Sequence, residues 1–257
     1  TGSLPVATVK NMLNYPLLVG DNQELLREIL KLHDGETLRV NFMPLSEKAL
    51  DILYWHRKEF AGPVPKLFES THVIMRKDKQ EIVFIRKNDF LDSNKLTILS
   101  ATADRTLYRD YFSGKKVYFR ETHNAEYKGK LIQYTAHPLS RIYFKKNGMM
   151  DIVKQIQDEY IKDIPIISFK MLFPDSEIHF GKTEGFNIYK GMDIAVIGTP
   201  HNSPILYKLV GAMLGYSTSD SLHKYRVERK GVSYTMMTYG DEEMRNLQFF
   251  FIESELE

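Results

Sequence analysis

The sequence contains no cysteine, and this absence excludes disulfide bonds, zinc sites built on thiolates and a cysteine nucleophile. It is in keeping with a reducing cytoplasm, where we expect the protein to reside. No apolar run reaches the roughly 20 residues of a membrane-spanning helix, so no membrane partner is expected. The amino terminus also lacks the basic-then-apolar order of a signal peptide.

Several chemical signatures are missing as well. The eight histidines follow no H-E-x-x-H or other paired metal spacing, and no G-x-S-x-G segment marks an acyl-transfer nucleophile. No pair of carboxylates stands out on one predicted element. We therefore expect neither a metal site nor a catalytic residue in this chain.

The composition is that of a folded protein. Hydrophobic residues make up 43% of the chain and charged residues 26%, and 257 residues suffice for one large domain or two small ones. The single tryptophan, Trp55, and most tyrosines and phenylalanines are expected in the core. Tyrosines and phenylalanines beside basic clusters are alternatively suited to stacking on nucleobases.

The charge is nearly balanced overall but unevenly distributed. The formal net charge is +2, yet residues 241–257 carry −5, so residues 1–240 carry +7. The basic side chains cluster in three places: Arg76, Lys77, Lys79, Arg86 and Lys87; Arg141, Lys145 and Lys146; and Lys224, Arg226, Arg229 and Lys230. Such clusters are typical of nucleic-acid contacts, although the solvated faces of a globular protein give the same pattern.

Hydrophobic periodicity and capping residues predict the secondary structure. Helices are expected over residues 21–33, with Asp21 as the cap, from Ser46 to the stop at Gly62-Pro63, and over residues 104–112, 149–161, 203–214 and 241–257. Strands are expected over residues 72–76, 82–86, 95–99, 117–120, 131–135, 164–169, 192–197, 225–229 and 232–238. Because the last helix is still apolar where the chain stops, we expect the chain to be a fragment.

The order of these elements predicts the fold class. Apolar strands that alternate with helices from residue 95 onward indicate an α/β arrangement with a partly parallel sheet covered on both faces. Residues 1–94 mix helices with two strands joined around Asp78, and they predict an α+β accessory segment.

Gly181-Lys182-Thr183 matches the end of the phosphate-binding loop G-x-x-x-x-G-K-[ST], but the rest of that loop is missing. Ser176 stands where the loop requires its first glycine, and Glu177 would repel phosphate oxygens. The residues after Thr183 do not begin a helix whose amides would hold an anion. We therefore reject this segment as a nucleotide phosphate loop.

Three other segments occur in an informative order. The first is Ser100-Ala101-Thr102, three small residues between the strand that ends at Leu99 and the next helix. The second is the strand at residues 164–169, which opens a new set of strands. The third is the glycine-containing polar loop at residues 181–187, which precedes the strand at residues 192–197. Ligands bind at the carboxyl ends of parallel strands. In this order and spacing, the segments resemble motifs III, IV and V of superfamily 2 helicases and translocases, and the resemblance covers residues 95–257.

The resemblance implies a RecA-like fold, in which residues 95–125 end a first RecA-like domain and residues 126–257 form most of a second. It implies nucleotide-state coupling by Ser100, Ala101 and Thr102, and a nucleotide cleft lined by Gly181, Thr183, Glu184, Gly185 and Asn187. It implies nucleic-acid contacts from Ser140, Arg141, Thr199 and His201. The implied partner is a nucleic acid, DNA rather than RNA, and the implied cofactors of the full-length protein are ATP and Mg²⁺.

Other motifs of the family are absent. No phosphate-binding loop and no acidic D-E-x-H box precede residue 95, and the arginine-finger motif Q-x-x-G-R-x-x-R does not follow the last helix. Because the metal, the loop lysine and the finger carry phosphoryl transfer electrostatically, this chain alone is expected to bind no ATP and to hydrolyse none. Residues 1–94 would then be an insertion that guides a strand or binds a partner.

Two other functional classes stay open at this point. A non-catalytic nucleic-acid-binding or scaffold protein with a degenerate RecA-like fold would share the salt-dependent binding of a helicase fragment. A small-molecule α/β enzyme that uses the loop at residues 181–187 is disfavoured, because no acid–base or nucleophile set accompanies that loop.

Overall fold

The computed structural model describes residues 1–88, 95–99, 103–121, 129–130, 132, 139–145, 149–183, 188–198, 200–229 and 231–256. The chain divides into two units, one of residues 1–118 and 203–249 and the other of residues 119–202 and 250–257. Helices and small sheets are mixed, and one sheet is a parallel pair, so the α/β class is confirmed. The RecA-like assignment and the domain boundaries at residues 94 and 125 stay predictions.

The described residues form short helices and strands. The helices are α1 (Val6–Met12), α2 (Pro16–Val19), α3 (Gln23–Lys31), α4 (Glu47–Trp55), α5 (Val64–Phe68), α6 (Arg105–Tyr111), α7 (Arg141–Phe144), α8 (Met149–Ile156), α9 (Pro204–Leu214) and α10 (Glu242–Leu256). The strands are β1 (Gly2–Pro5), β2 (Thr37–Arg39), β3 (His72–Arg76), β4 (Glu81–Ile85), β5 (Ile166–Ser168), β6 (Ala195–Ile197), β7 (His223–Arg229) and β8 (Val232–Thr238).

The first unit is built on an antiparallel sheet with the strand order β1-β4-β3-β2. Side chains alternate across its strands, so Val73 and Met75 enter a core formed with helices α1, α3 and α5. Ile74 points to the opposite face, where it packs against Leu209 of α9. The sheet is therefore covered on both faces, and the second cover comes from the distant residues 204–214.

Local capping explains where several helices begin. The Ser46 hydroxyl accepts a hydrogen bond from the Ala49 amide at 3.2 Å, and the Asp104 carboxylate caps α6 in the same way. The prediction that Asp21 caps α3 is wrong. Asn22 precedes that helix without capping it, because its side-chain amide pairs instead with the backbone of Met43 at 2.7 and 2.9 Å.

Two predicted strands are wrong. Residues 95–99 and 117–120 form no strand, and Leu99, expected at the end of a buried strand, is 94% exposed. The strand expected at residues 131–135 lies mostly outside the described residues. An apolar run becomes a strand only where a neighbouring strand pairs with it, and none of the described strands pairs with either segment.

The second unit has its own apolar core. Phe144 and Val153, from α7 and α8, pack there with Phe169 and Ile197 at the ends of β5 and β6. A π-helical turn, Gln157–Ile161, continues α8 and confirms the predicted helix over residues 149–161. The strands expected at residues 164–169 and 192–197 form only over three residues each. Val196 is 50% exposed, so the prediction of a fully buried strand there is wrong.

The carboxyl-terminal part of the first unit contains the predicted hairpin of β7 and β8, paired from His223–Thr238 to Arg229–Val232. The predicted helices that became α9 and α10 are also confirmed. Asp241 opens α10 by accepting a hydrogen bond from the Met244 amide at 2.9 Å. No helix among the described residues is long and apolar enough to cross a membrane.

Replacing Gly211 by alanine tests the packing of α9 against α10. A Cβ atom at residue 211 would overlap the Sδ atom of the fully buried Met244. We expect Gly211→Ala to lower the free energy of unfolding by about 1–3 kcal/mol. This loss should appear in urea titrations even though alanine favours an isolated helix by about 1 kcal/mol over glycine.

The double variant Gly211→Ala with Met244→Ala is the control. Shortening Met244 makes room for the new methyl group. The double variant should therefore lose less free energy of unfolding than the two single variants lose together. Strictly additive losses would contradict a direct overlap between residues 211 and 244.

Candidate nucleic-acid interface

The carboxyl ends of the parallel strands β5 and β6 are joined by a side chain. The strands pair in register from Ile166–Ala195 to Ser168–Ile197. The Ser168 hydroxyl, which is buried, donates a hydrogen bond to the Ile197 carbonyl at 2.6 Å. The Ser168 carbonyl accepts a hydrogen bond from the Phe180 amide at 3.0 Å, which brings the following loop to the same edge.

Phe169, the residue after β5, is the centre of this edge. Its buried ring meets the Phe144 ring at 6.1 Å and the Phe180 ring at 5.0 Å, both edge to face. Gly198, the residue after β6, approaches both Phe169 and Phe180 so closely that a Cβ atom there would lie 2.7 and 3.2 Å from their rings. The backbone of β6 therefore passes directly over an aromatic cluster.

Arg141 places a positive charge on the same cluster. Its guanidinium carbon lies 4.9 Å from the centroid of the Phe169 ring, and the residue is exposed. A guanidinium over an aromatic face is attracted by the ring quadrupole and loses some of its conformational freedom. Its N–H groups then project from a defined position, as recognition of a phosphate requires.

Ser140 positions Arg141 through the backbone. Its hydroxyl accepts a hydrogen bond from the Tyr143 amide at 3.3 Å, and its carbonyl accepts one from the Phe144 amide at 3.1 Å. Ser140 therefore caps the short helix α7 and orients the residue that follows it. A direct phosphate contact from Ser140 stays a prediction.

Gly181 and Thr183 lie in an exposed turn beside this edge. The Lys182 amide donates to the His179 carbonyl at 2.8 Å, and Gly181 has a φ of +80°, which favours glycine. Residues 184–187, which follow this turn, lie outside the described residues. The rejection of Gly181-Lys182-Thr183 as a phosphate loop therefore rests on the sequence, where Ser176 replaces the first glycine.

His201 lies four residues after the end of β6. Burial of part of its ring lowers the pKa of His201, so the neutral imidazole predominates at neutral pH. The remaining predicted site residues lie outside the described residues: Ser100, Ala101, Thr102, Glu184, Gly185, Asn187 and Thr199.

ATP and Mg²⁺ stay predicted cofactors of the full-length protein. Among the described residues, no three histidine, aspartate or glutamate side chains converge. The described residues at this edge contribute one oriented cation, Arg141, and a backbone that packs on the aromatic cluster.

A Ser-His-Asp cluster elsewhere does not form a catalytic triad. The Ser221 hydroxyl lies 2.9 Å from His223 Nε2, but Asp220 approaches that same nitrogen at 3.8 Å instead of Nδ1. A triad needs the carboxylate on the opposite ring nitrogen, where it orients the base. Asp220 instead accepts hydrogen bonds from the amides of Gly240 and Asp241 and joins two loops.

The second unit also carries an open groove of about 490 Å³. Its walls are apolar at Ile164, Leu172 and Phe173, and its rim carries Lys162, Asp163 and Asp175. Ser176 also lines the groove, but its hydroxyl donates a hydrogen bond to the Ile178 carbonyl at 2.7 Å and not to a general base. The groove therefore gives no support to the small-molecule enzyme alternative.

Sequence reasoning identified Arg141 but missed the aromatic cluster on which it lies. The predicted strand at residues 164–169 ends at Phe169, but no pattern in the sequence links Phe169 to Phe144 or Phe180. A local signal was present, because Phe169 and Phe180 both stand next to small or polar residues at predicted loop boundaries. Only the folded chain shows that Phe144, Phe169 and Phe180 meet.

Gly198 offers a test of this packing. It has a φ of +120°, and a side chain there would overlap the rings of Phe169 and Phe180. We expect Gly198→Ala to lower the free energy of unfolding of the chain by about 2–4 kcal/mol, measured by urea titration. The disturbance should also reach Arg141, which lies on Phe169.

Gly191→Ala is the matched control. Gly191 also has a positive φ, +77°, but a Cβ atom there would meet open space. Only backbone strain applies, so the loss should stay near about 1 kcal/mol. Equal losses for the two variants would contradict the close approach of Gly198 to the rings.

No protein-family model, curated protein or solved structure matches this chain.

Proposed function

We propose that this chain is the carboxyl-terminal part of an ATP-dependent helicase or translocase of superfamily 2. In this proposal it binds nucleic acid and couples that binding to ATP hydrolysis in the full-length protein. The observation that supports it is the exposed Arg141 guanidinium, held 4.9 Å above the Phe169 ring at the carboxyl end of a parallel strand pair. Motif order led us to expect a phosphate contact at this residue.

The chemistry of the edge suits a nucleic-acid backbone. A guanidinium binds phosphate oxygens through two parallel N–H groups, and stacking on Phe169 orients it before the ligand arrives. Gly198 lets the backbone after β6 pack directly on the rings of Phe169 and Phe180, and this packing fixes the ring on which Arg141 lies.

The proposal assigns ATP and Mg²⁺ to the full-length protein, where a phosphate loop, an acidic box and an arginine finger would supply the phosphoryl-transfer site. In the family, motif III couples the nucleotide state to strand movement, which assigns this role to Ser100 and Thr102. We further propose DNA as the nucleic acid and the cytoplasm as the location, the latter because cysteine is absent.

The second candidate is a nucleic-acid-binding protein without catalysis, and the hairpin of β7 and β8 favours it. Lys224 and Arg226 share one exposed face of this hairpin with Ser233 and Thr235, and Glu228 is the acidic residue of that face. The Arg226 side chain donates to the Ser233 hydroxyl at 2.8 Å. Cations and hydroxyls on an exposed sheet face can bind phosphates with no nucleotide site nearby.

Binding of a fluorescein-labelled single-stranded oligonucleotide tests the nucleic-acid function. Fluorescence anisotropy should show binding that weakens as salt rises, because phosphate contacts release counterions. Arg141→Gln should weaken the affinity by roughly fivefold and reduce the slope of log affinity against log salt by about 0.7.

Lys10→Gln is the matched control, since Lys10 is an exposed cation at the end of α1 in the first unit. It should leave both the affinity and the salt slope unchanged. Equal effects of the two variants, or no effect of Arg141→Gln, would remove the support that Arg141 gives to the proposal. Thermal melts of both variants check that their folds are intact.

ATP hydrolysis separates the two candidates. We expect the 257-residue chain to release no phosphate from ATP, with or without DNA, because the groups that stabilise phosphoryl transfer are missing. Extending the chain to the natural limits of its reading frame should restore DNA-stimulated hydrolysis. An extended protein that encodes no phosphate loop would favour the non-catalytic candidate, and turnover by the 257-residue chain would contradict the fragment hypothesis.

A further inference from the structure

The helix α4 carries two aromatic side chains that folding leaves in solvent. Trp55 is 77% exposed and Tyr54 is 64% exposed, although the only tryptophan of the chain was expected in the core. Within α4, only Ala49 is buried. A large apolar ring that stays in water contributes little to the stability of the fold. Exposed pairs of such rings commonly mark binding sites.

The two rings form an ordered pair. Their centroids lie 5.4 Å apart with an angle of 83° between the ring planes, and the Arg57 guanidinium carbon lies 6.0 Å from the Tyr54 centroid. The edge-to-face geometry presents two ring surfaces in different directions. A flat ligand with a π-face can stack on either of them.

A polar cluster anchors the chain just after α4. The Glu59 carboxylate accepts hydrogen bonds from the Tyr15 hydroxyl at 2.5 Å and interacts with His56 Nδ1 at 2.8 Å. These bonds raise the pKa of Tyr15 and lower the pKa of Glu59. Tyr15 also packs on the buried Phe60 at 5.5 Å, so the chain after Trp55 is anchored to the core.

Two exposed cations follow the pair directly. Arg57 and Lys58 come after Trp55, and the neighbouring helix α2, which packs against α4, carries no charge. Asp51, one turn earlier on α4, is exposed as well, and Glu59 is engaged by Tyr15 and His56. Arg57 and Lys58 are therefore the groups beside the rings that can meet the phosphates of a ligand.

We infer that Tyr54 and Trp55 form a stacking platform for the bases of single-stranded nucleic acid, with Arg57 and Lys58 beside its phosphates. Exposed aromatic rings with nearby cations are how proteins bind single strands without sequence preference. Duplex DNA keeps its bases stacked inside, so only a single strand offers faces to these rings. This inference rests on the proposed nucleic-acid function, and it assigns residues 1–94 a part in it.

The single tryptophan makes the inference directly testable in the 257-residue chain. Trp55 emission, excited at the red edge where tyrosine does not absorb, should be quenched by oligothymidylate to a saturable limit. A strand of the same length made of abasic deoxyribose phosphates should quench far less, because it carries the charges without the bases. Anisotropy of a labelled strand measures binding independently of Trp55.

Variants on the same helix provide the matched comparison. Trp55→Ala and Tyr54→Ala should each weaken oligothymidylate binding about 5- to 100-fold, the usual loss for one stacked base. Leu50→Ala removes another exposed apolar side chain of α4 and should leave the affinity unchanged. All three residues are exposed, so thermal melts should show that each variant folds.

The possible results separate this inference from the proposed function. If anisotropy shows binding while Trp55 emission and the affinity of Trp55→Ala stay unchanged, the proposed function stands and the stacking platform is overturned. If the labelled strand does not bind at all, both are overturned. A blue shift of Trp55 emission that depends on protein concentration, without nucleic acid, would show that a second copy covers the pair and would also overturn the platform.

Discussion

Burial of the strand β3 on both faces is the constraint on which the first unit depends. Val73 and Met75 require helices on one side, and Ile74 requires a cover on the other. Because side chains alternate along a strand, one cover cannot serve both faces. The helix α9, residues 204–214, supplies the second cover. Tyr239 is attached to the start of this helix, because its hydroxyl donates a hydrogen bond to the Pro204 carbonyl at 3.2 Å. Long-range burial thus gathers residues 1–118 and 203–249 into one unit.

In the second unit too, burial of one apolar side chain fixes the positions of residues that are distant in sequence. Phe169 is buried among rings, and that burial fixes the positions of Gly198 on one side and Arg141 on the other. A rigid aromatic base makes an exposed cation directional, which a cation on a flexible loop is not. Charge alone therefore identifies Arg141 less well than its contact with Phe169 does.

The two proposed contacts with nucleic acid use different physics. Arg141 would act on phosphates, and its contribution would fall as salt screens and competes with it. Tyr54 and Trp55 would act on bases, where stacking depends little on ionic strength and little on sequence. A motor that moves along a strand needs both kinds of contact. Phosphate contacts bind the backbone whatever its sequence, and stacking distinguishes a single strand from a duplex. The same pair of contacts would also serve a passive binding protein.

Local chemistry was readable from the sequence, and long-range packing was not. The hairpin around Gly231, the helix opened by Ser46 and the helix α9 follow from turn residues, caps and periodicity within a few positions. The prediction of a strand at residues 95–99 and of a core position for Trp55 failed, because an apolar side chain is buried only if another element covers it. The contacts of Arg141 with Phe169 and of Ile74 with Leu209 join residues 28 and 135 positions apart. Sequence by itself therefore determined the capped helices, the hairpin and the candidate Arg141, whereas tertiary structure alone decided which strands paired, which faces met and which rings stayed in water.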